Sequence, residues 1–150
     1  MTRDEAIQAV DEAFATVPRP TMFIRGTCFC DECQAHERTM QHFDPRSLPF
    51  ELVNNPGWNP LSFASEEAFK YLVPGLVRLV LGNADAFVDG FLFQLEGPER
   101  FASLAPDQAR AVIAVLDVLA PEEADAVEMN RSADDLFRVR ARLEQISAIG

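Results

Sequence analysis

The run from Phe69 to Leu81, FKYLVPGLVRLVL, is apolar on nearly every side. A helix without a polar face has to be surrounded, so this run predicts a central buried helix with the rest of the chain packed around it. Ser65 stands where a helix N-cap is needed, and Glu66 and Glu67 put negative charge at the positive end of the dipole. Pro74 removes one amide and crowds the preceding turn, which predicts a kink or a split into two pieces.

The other segments read as amphipathic helices that could coat it. Thr2 and Glu5 have capping-box spacing, and Ile7, Val10, Phe14 and Val17 recur at helical intervals, giving a helix over residues 3–16. Pro18-Arg19-Pro20 stops it. Thr21 to Thr27, with Met22, Phe23 and Ile24, reads as a short strand or as extended, core-filling chain. Residues 31–42 are good helix formers, and Asp44-Pro45 and Pro49 frame a short turn of helix or an irregular segment. The stretch Asn54 to Pro60 is a dense turn signal carrying the single Trp, Trp58, expected to plug onto the core from a loop. Asn83 to Leu95 puts Phe87, Val88, Phe91, Leu92 and Leu95 on one stripe, and Gly97-Pro98 ends it.

Pro106 and Pro121 each head a short acidic turn, the signature of two independent helix starts. Between them Ala109, Val112, Ile113, Leu116 and Leu119 form an apolar face. Ser132 caps a last helix with Leu136, Val139, Leu143 and Ile146 on one side, and Arg138, Arg140 and Arg142 near its negative end. The expectation is one all-α domain over 1–150, of about six helices, with a cysteine-containing loop in the N-terminal third.

A chain of 150 residues fits one domain, and 48% hydrophobic content excludes global disorder. The net charge of −11 argues against nucleic acid or an anionic membrane as partner and suits a basic protein. The charged start, Met1-Thr2-Arg3-Asp4-Glu5, is not a signal peptide, and Tyr71 to Leu81 is too short to span a bilayer. A cytoplasmic protein is expected.

Chemistry concentrates in Cys28-Phe29-Cys30-Asp31-Glu32-Cys33-Gln34-Ala35-His36-Glu37, where all three cysteines and one of the two histidines fall together. Thiolates beside an imidazole suit zinc, which takes four such donors in a tetrahedron. Cys28, Cys30, Cys33 and His36 are the candidate ligands. Cys33 and His36 lie one turn apart and can share an ion from one helical face. Cys30 to His36 along a continuous helix would span about 9 Å of rise. Cys28 and Cys30 must therefore precede the helix, in a knuckle folded over its first turn. Glu37 and His42 are alternative fourth ligands. Two other readings stand beside zinc. The cysteines could be small buried hydrophobes near Phe23 and Phe29, with His36 hydrogen-bonded at the surface. Or Cys30-x-x-Cys33 could be a reactive pair at a helix N-terminus, opposed by the two acids between them. Phosphate-loop, dinucleotide, nucleophile-elbow and deaminase motifs are absent.

Several segments in order resemble a family of small uncharacterised bacterial proteins. They are Pro18-Arg19-Pro20 with Phe23, Cys30-x-Glu32-Cys33-x-x-His36-Glu37, Pro56-Gly57-Trp58-Asn59-Pro60-Leu61, Ser65-x-Glu67-Ala68-Phe69-Lys70-Tyr71-x-x-Pro74, Phe91-Leu92-Phe93-x-Leu95 and Gln108-Ala109-Arg110-Ala111-Val112. The resemblance covers about residues 18–116 and implies bacterial origin without an activity. The family pattern has His at the position of Gln94 and Arg at that of Ala109, so it implies no histidine-dependent role at position 94 here.

The residues thus point to a non-catalytic bacterial domain with a structural zinc site, acting as an adaptor or immunity-like binder of a basic protein. The alternative is a small metal- or thiol-dependent enzyme or redox sensor using Cys30, Cys33 and His36, with Trp58, His42 and Glu37 lining its pocket.

Overall fold

The apolar run forms the middle of a single helix, α4 (Glu66–Gly82), capped by the Ser65 hydroxyl, which accepts from the Ala68 amide at 3.1 Å. A computed structural model describes residues 1–26, 29–55, 57–97, 100–122 and 133–149. Pro74 does not split α4. It costs one backbone hydrogen bond in a helix whose surroundings bury ten of its residues, and packing outweighs that loss.

Around α4 stand α1 (Arg3–Ala13), α5 (Ala84–Leu95), α6 (Arg100–Ser103) and α7 (Pro106–Glu122), each packed against it. The last helix, α8 (Ala133–Ser147), lies mainly on α7 and also touches α5 and α6. Among the described residues there are eight α helices, counting α2 (Asp31–Gln41) and the short α3 (Phe50–Val53), plus a 3-10 turn at Pro60–Phe63. The fold is all-α. One hydrophobic cluster runs from Ala6 on α1 to Leu143 on α8. No helix among the described residues is long and apolar enough to cross a membrane.

Several local expectations change in detail. The Thr2–Glu5 capping box is present, but α1 ends at Ala13; it buries Ala6 and Val10, its C-cap Phe14 is buried too, and Ile7 and Val17 are half-buried. The Phe23–Ile24 segment is extended chain rather than a strand. It makes one antiparallel bridge, Ile24 to Ala64, flanked by Arg25 N to Phe63 O and Ser65 N to Phe23 O, both 2.8 Å. Helix α7 continues through Pro121 to Glu122, and residues 123–132, with the expected Ser132 cap, lie outside the described residues. Arg138, Arg140 and Arg142 do not serve the helix end. They bridge α8 to Glu96, to Asp117 and to the face of Phe101.

Candidate metal centre

Helix α2 begins at Asp31 because Cys30 caps it, in extended conformation, with its sulfur accepting from the Cys33 amide at 3.4 Å. Asp31 and Glu32 then occupy the first turn, the favourable end of the dipole for acids. From there the 3–4 spacing of Cys33, His36 and Met40 turns all three into the protein, while Cys30 stays exposed.

His36 is completely buried. Its ring lies between two aromatic faces, Phe63 nearly parallel at 4.6 Å and Trp58 tilted at 4.4 Å. With both faces covered, only the imidazole edge is left for polar chemistry. Neither Nδ1 nor Nε2 has a hydrogen-bond partner among the described residues. The nearest charged atom is Glu32 Oε1, 3.6 Å from Nε2, one turn back on the same helix. That is within ion-pair range but beyond a good hydrogen bond. An orphaned buried polar group of this kind costs about 1–3 kcal/mol. His36 is therefore not the hydrogen-bonded surface histidine of the ordinary-core reading.

The walls of this site are themselves braced. Asn55 Oδ1 accepts the amides of Gly57 and Trp58 at 3.0 and 3.2 Å, which sets the Trp58 turn. Asn59 accepts from Leu61 N at 3.0 Å and donates to Val53 O at 2.8 Å, starting the 3-10 turn that ends at Phe63. From the far side Arg100 donates to the Leu61 carbonyl. Trp58 is less a core plug than expected. It is 43% exposed, one face on His36 and the other toward solvent.

The other candidate ligands are turned elsewhere. Glu37 accepts from the amides of Phe23 and Ile24 and from the Gln41 amide nitrogen at 2.7 Å, so it staples the extended segment to α2. His42 is exposed, with Nδ1 2.8 Å from the Arg38 carbonyl oxygen. Cys28 lies outside the described residues. Among the described residues no three His, Cys, Asp or Glu side chains are gathered closely enough to hold a metal ion. The donor types at α2 suit zinc: an orphaned imidazole edge, a buried cysteine one turn before it and a capping cysteine.

Two participants escaped the sequence. Glu32 stands four before His36, a spacing that was legible, whereas Phe63 is brought in by the chain's return and carries no local signal. A groove of about 560 Å³ elsewhere is lined by Asn54, Asn59, Ser62, Asp89, Phe93 and Gln94. It includes none of Trp58, His42 and Glu37, the residues expected to line an enzyme's pocket. Within that groove burial, helped by Asp135, pushes the Asp89 carboxyl above its ordinary range. In comparisons with family models, curated proteins and solved structures, the chain matches none.

Proposed function

We propose that the chain is a non-catalytic helical domain that holds a zinc ion at the start of α2 and acts by binding a basic protein. One observation carries the metal: a wholly buried imidazole whose two ring nitrogens lack hydrogen-bond partners among the described residues, one turn from Cys33 and beside the cysteine-capped helix start. A zinc ion at the imidazole edge would relieve the deficit that packing leaves there. Cys30, Cys33 and His36 supply three ligands, with Cys28 the favoured fourth on sequence. Binding draws the sulfurs in over the first turn of α2, so metal affinity adds directly to folding free energy.

Elemental analysis of protein purified without chelator tests this. About one zinc per chain is expected, lost in a Cys33→Ser, His36→Ala double variant; no metal in the parent protein rejects the reading. The partner half rests on the net charge of −11. Association with a basic protein should slow steeply as salt rises, and a salt-independent on-rate would reject it.

One observation favours a second reading, a thiol redox site: Cys30 caps α2 directly above Cys33. Glutathione disulfide would then take two electrons and two protons from the pair, leaving one Cys30–Cys33 disulfide and two glutathione molecules. Mass spectrometry after mild oxidation decides it. A loss of two hydrogens in the parent protein, absent in Cys33→Ser, supports the redox site.

A further inference from the structure

We infer that the groove of about 560 Å³ between α5 and the chain from Val53 to Ser62 is a binding site for a neutral mono- or disaccharide. It shares none of Cys30, Cys33, His36, Trp58 and Phe63 with the α2 site, so it stands or falls apart from the metal.

The groove exists because α5 turns its smallest residues toward that loop. Ala86 and Gly90 stand one turn apart on the helix, and a Cβ on Gly90 would come 3.8 Å from Asn54 Oδ1 on the facing wall. Phe93 continues the same side of α5 and is 69% exposed. The facing wall is held in place by its own hydrogen bonds. Asn59 ties Val53 O to Leu61 N, and Asn55 accepts the amides of Gly57 and Trp58. A wall fixed in advance loses little conformational freedom when a ligand arrives.

The polar groups select the ligand. Gln94 is only 3% exposed, yet it lines the groove. Arg100 donates to its Oε1 at 2.6 Å, which fixes the amide and leaves Nε2 as a donor without a partner among the described residues. That nitrogen is not sealed in, since among the described residues the fully buried unpaired side-chain atoms are those of His36. It therefore opens on the groove. Asn54 and Ser62 offer an amide and a hydroxyl from the facing wall, and Asp89 offers a carboxyl from α5.

An anion would find no Lys, Arg or His among the described lining residues. A simple cation has no acceptor for Gln94 Nε2, and a wholly apolar ligand would strand that donor. A neutral ring carrying hydroxyls satisfies the whole set. Its oxygens accept from Gln94 and Asn54, its hydroxyl protons go to Asp89 and Asn54 Oδ1, and its C–H face lies on Phe93.

NMR titration of the full-length chain, followed at the side-chain amide signals of Asn54 and Gln94, tests this. The probes are cellobiose, maltose and diacetylchitobiose, with acetylarginine amide and glucose 1-phosphate as charged counterparts. At least one disaccharide should shift both signals saturably at millimolar concentration, and neither charged probe should. Phe93→Ala should weaken that binding about tenfold, as loss of an aromatic anchor does. Phe93 is exposed, so the variant keeps the fold, which unchanged amide signals away from the groove verify. Saturable shifts from a charged probe alone would overturn the sugar, and no shift from any probe would overturn the site. Sugar binding undiminished in Phe93→Ala would overturn the placement of the ring on Phe93.

Discussion

The carboxylate of Glu37 straddles the backbone amide of Phe23, with its two oxygens 2.9 and 3.1 Å from that nitrogen. One of those oxygens also accepts from Ile24 N at 3.1 Å. Phe23 and Ile24 are buried, and an extended segment has no helix or sheet to satisfy its amides, so this side chain does it. Glu37→Ala should cost about 2–3 kcal/mol in chemical denaturation, and Glu37→Gln, which keeps one acceptor, about half of that. Equal stability of Glu37→Ala and the parent would mean that the staple is not needed.

Arg100 is a buried cation held by carbonyls. It donates to Gln94 O at 2.8 Å, to Gln94 Oε1 at 2.6 Å and to Leu61 O, and its guanidinium lies over the Phe69 ring at 4.6 Å. Burial, with Arg25 adding repulsion, pushes it down to about 10, still charged at neutral pH. Arg100→Ala strands three acceptors and should destabilise by about 3–4 kcal/mol. Arg138→Ala, at a more exposed pair with Glu96 and Asp135, should leave the melting temperature unchanged. Similar losses from both would contradict the distinction.

Two glycines of α4 should respond to alanine with opposite signs. A Cβ on Gly75 would meet Leu48 Cγ at 2.6 Å and the Pro45 carbonyl oxygen at 2.8 Å, because the Pro45–Leu48 loop crosses the helix there. Gly82 has open space at that position. Gly75→Ala should cost about 1–3 kcal/mol despite better helix propensity, and Gly82→Ala should gain about 0.5–1 kcal/mol. Thermal melts of the two variants check both signs.

Asp11 on α1 pairs with Arg78 on α4 through both carboxylate oxygens, at 2.9 and 2.7 Å, with Arg46 3.8 Å away. The hydrogen bond from Arg78 holds the Asp11 carboxyl below its usual range. A depressed folded value means that the stabilisation is present above the unfolded pKa of about 3.9 and is lost as pH falls through the lower folded value. Asp11→Asn should therefore be about 1–2 kcal/mol less stable at pH 7, with the gap closing below about pH 4. A gap that persists to pH 2 would point to a packing loss instead.

Apolar periodicity made the all-α fold legible, because burial of a stripe is a local pattern that needs no knowledge of its partner. The central position of α4 followed from Phe69 to Leu81 alone. What periodicity could not convey is how strongly tertiary packing overrides a local defect, so Pro74 sits in an unbroken helix. Arg138 and Arg140 looked like dipole partners because their acids, Glu96 and Asp117, belong to other parts of the chain. The site divides the same way. Cys30, Cys33 and His36 were proposed as ligands from type and spacing, and Glu37 was singled out without its staple role. The burial of His36 depends on Trp58 and Phe63 returning across α2, a non-local event with no trace near position 36.

The central claim is that a metal satisfies His36. The most direct measurement is thermal unfolding with excess zinc and with chelator, for the parent protein and for His36→Phe. Zinc at 1,000 times its dissociation constant should stabilise the parent by about 4 kcal/mol, read as a higher melting temperature. His36→Phe, which keeps a ring between Trp58 and Phe63 without the nitrogens, should lose most of that response and match or exceed the chelated parent in stability. Identical melting of the parent in zinc and in chelator would contradict the claim and leave His36 as an aromatic core residue.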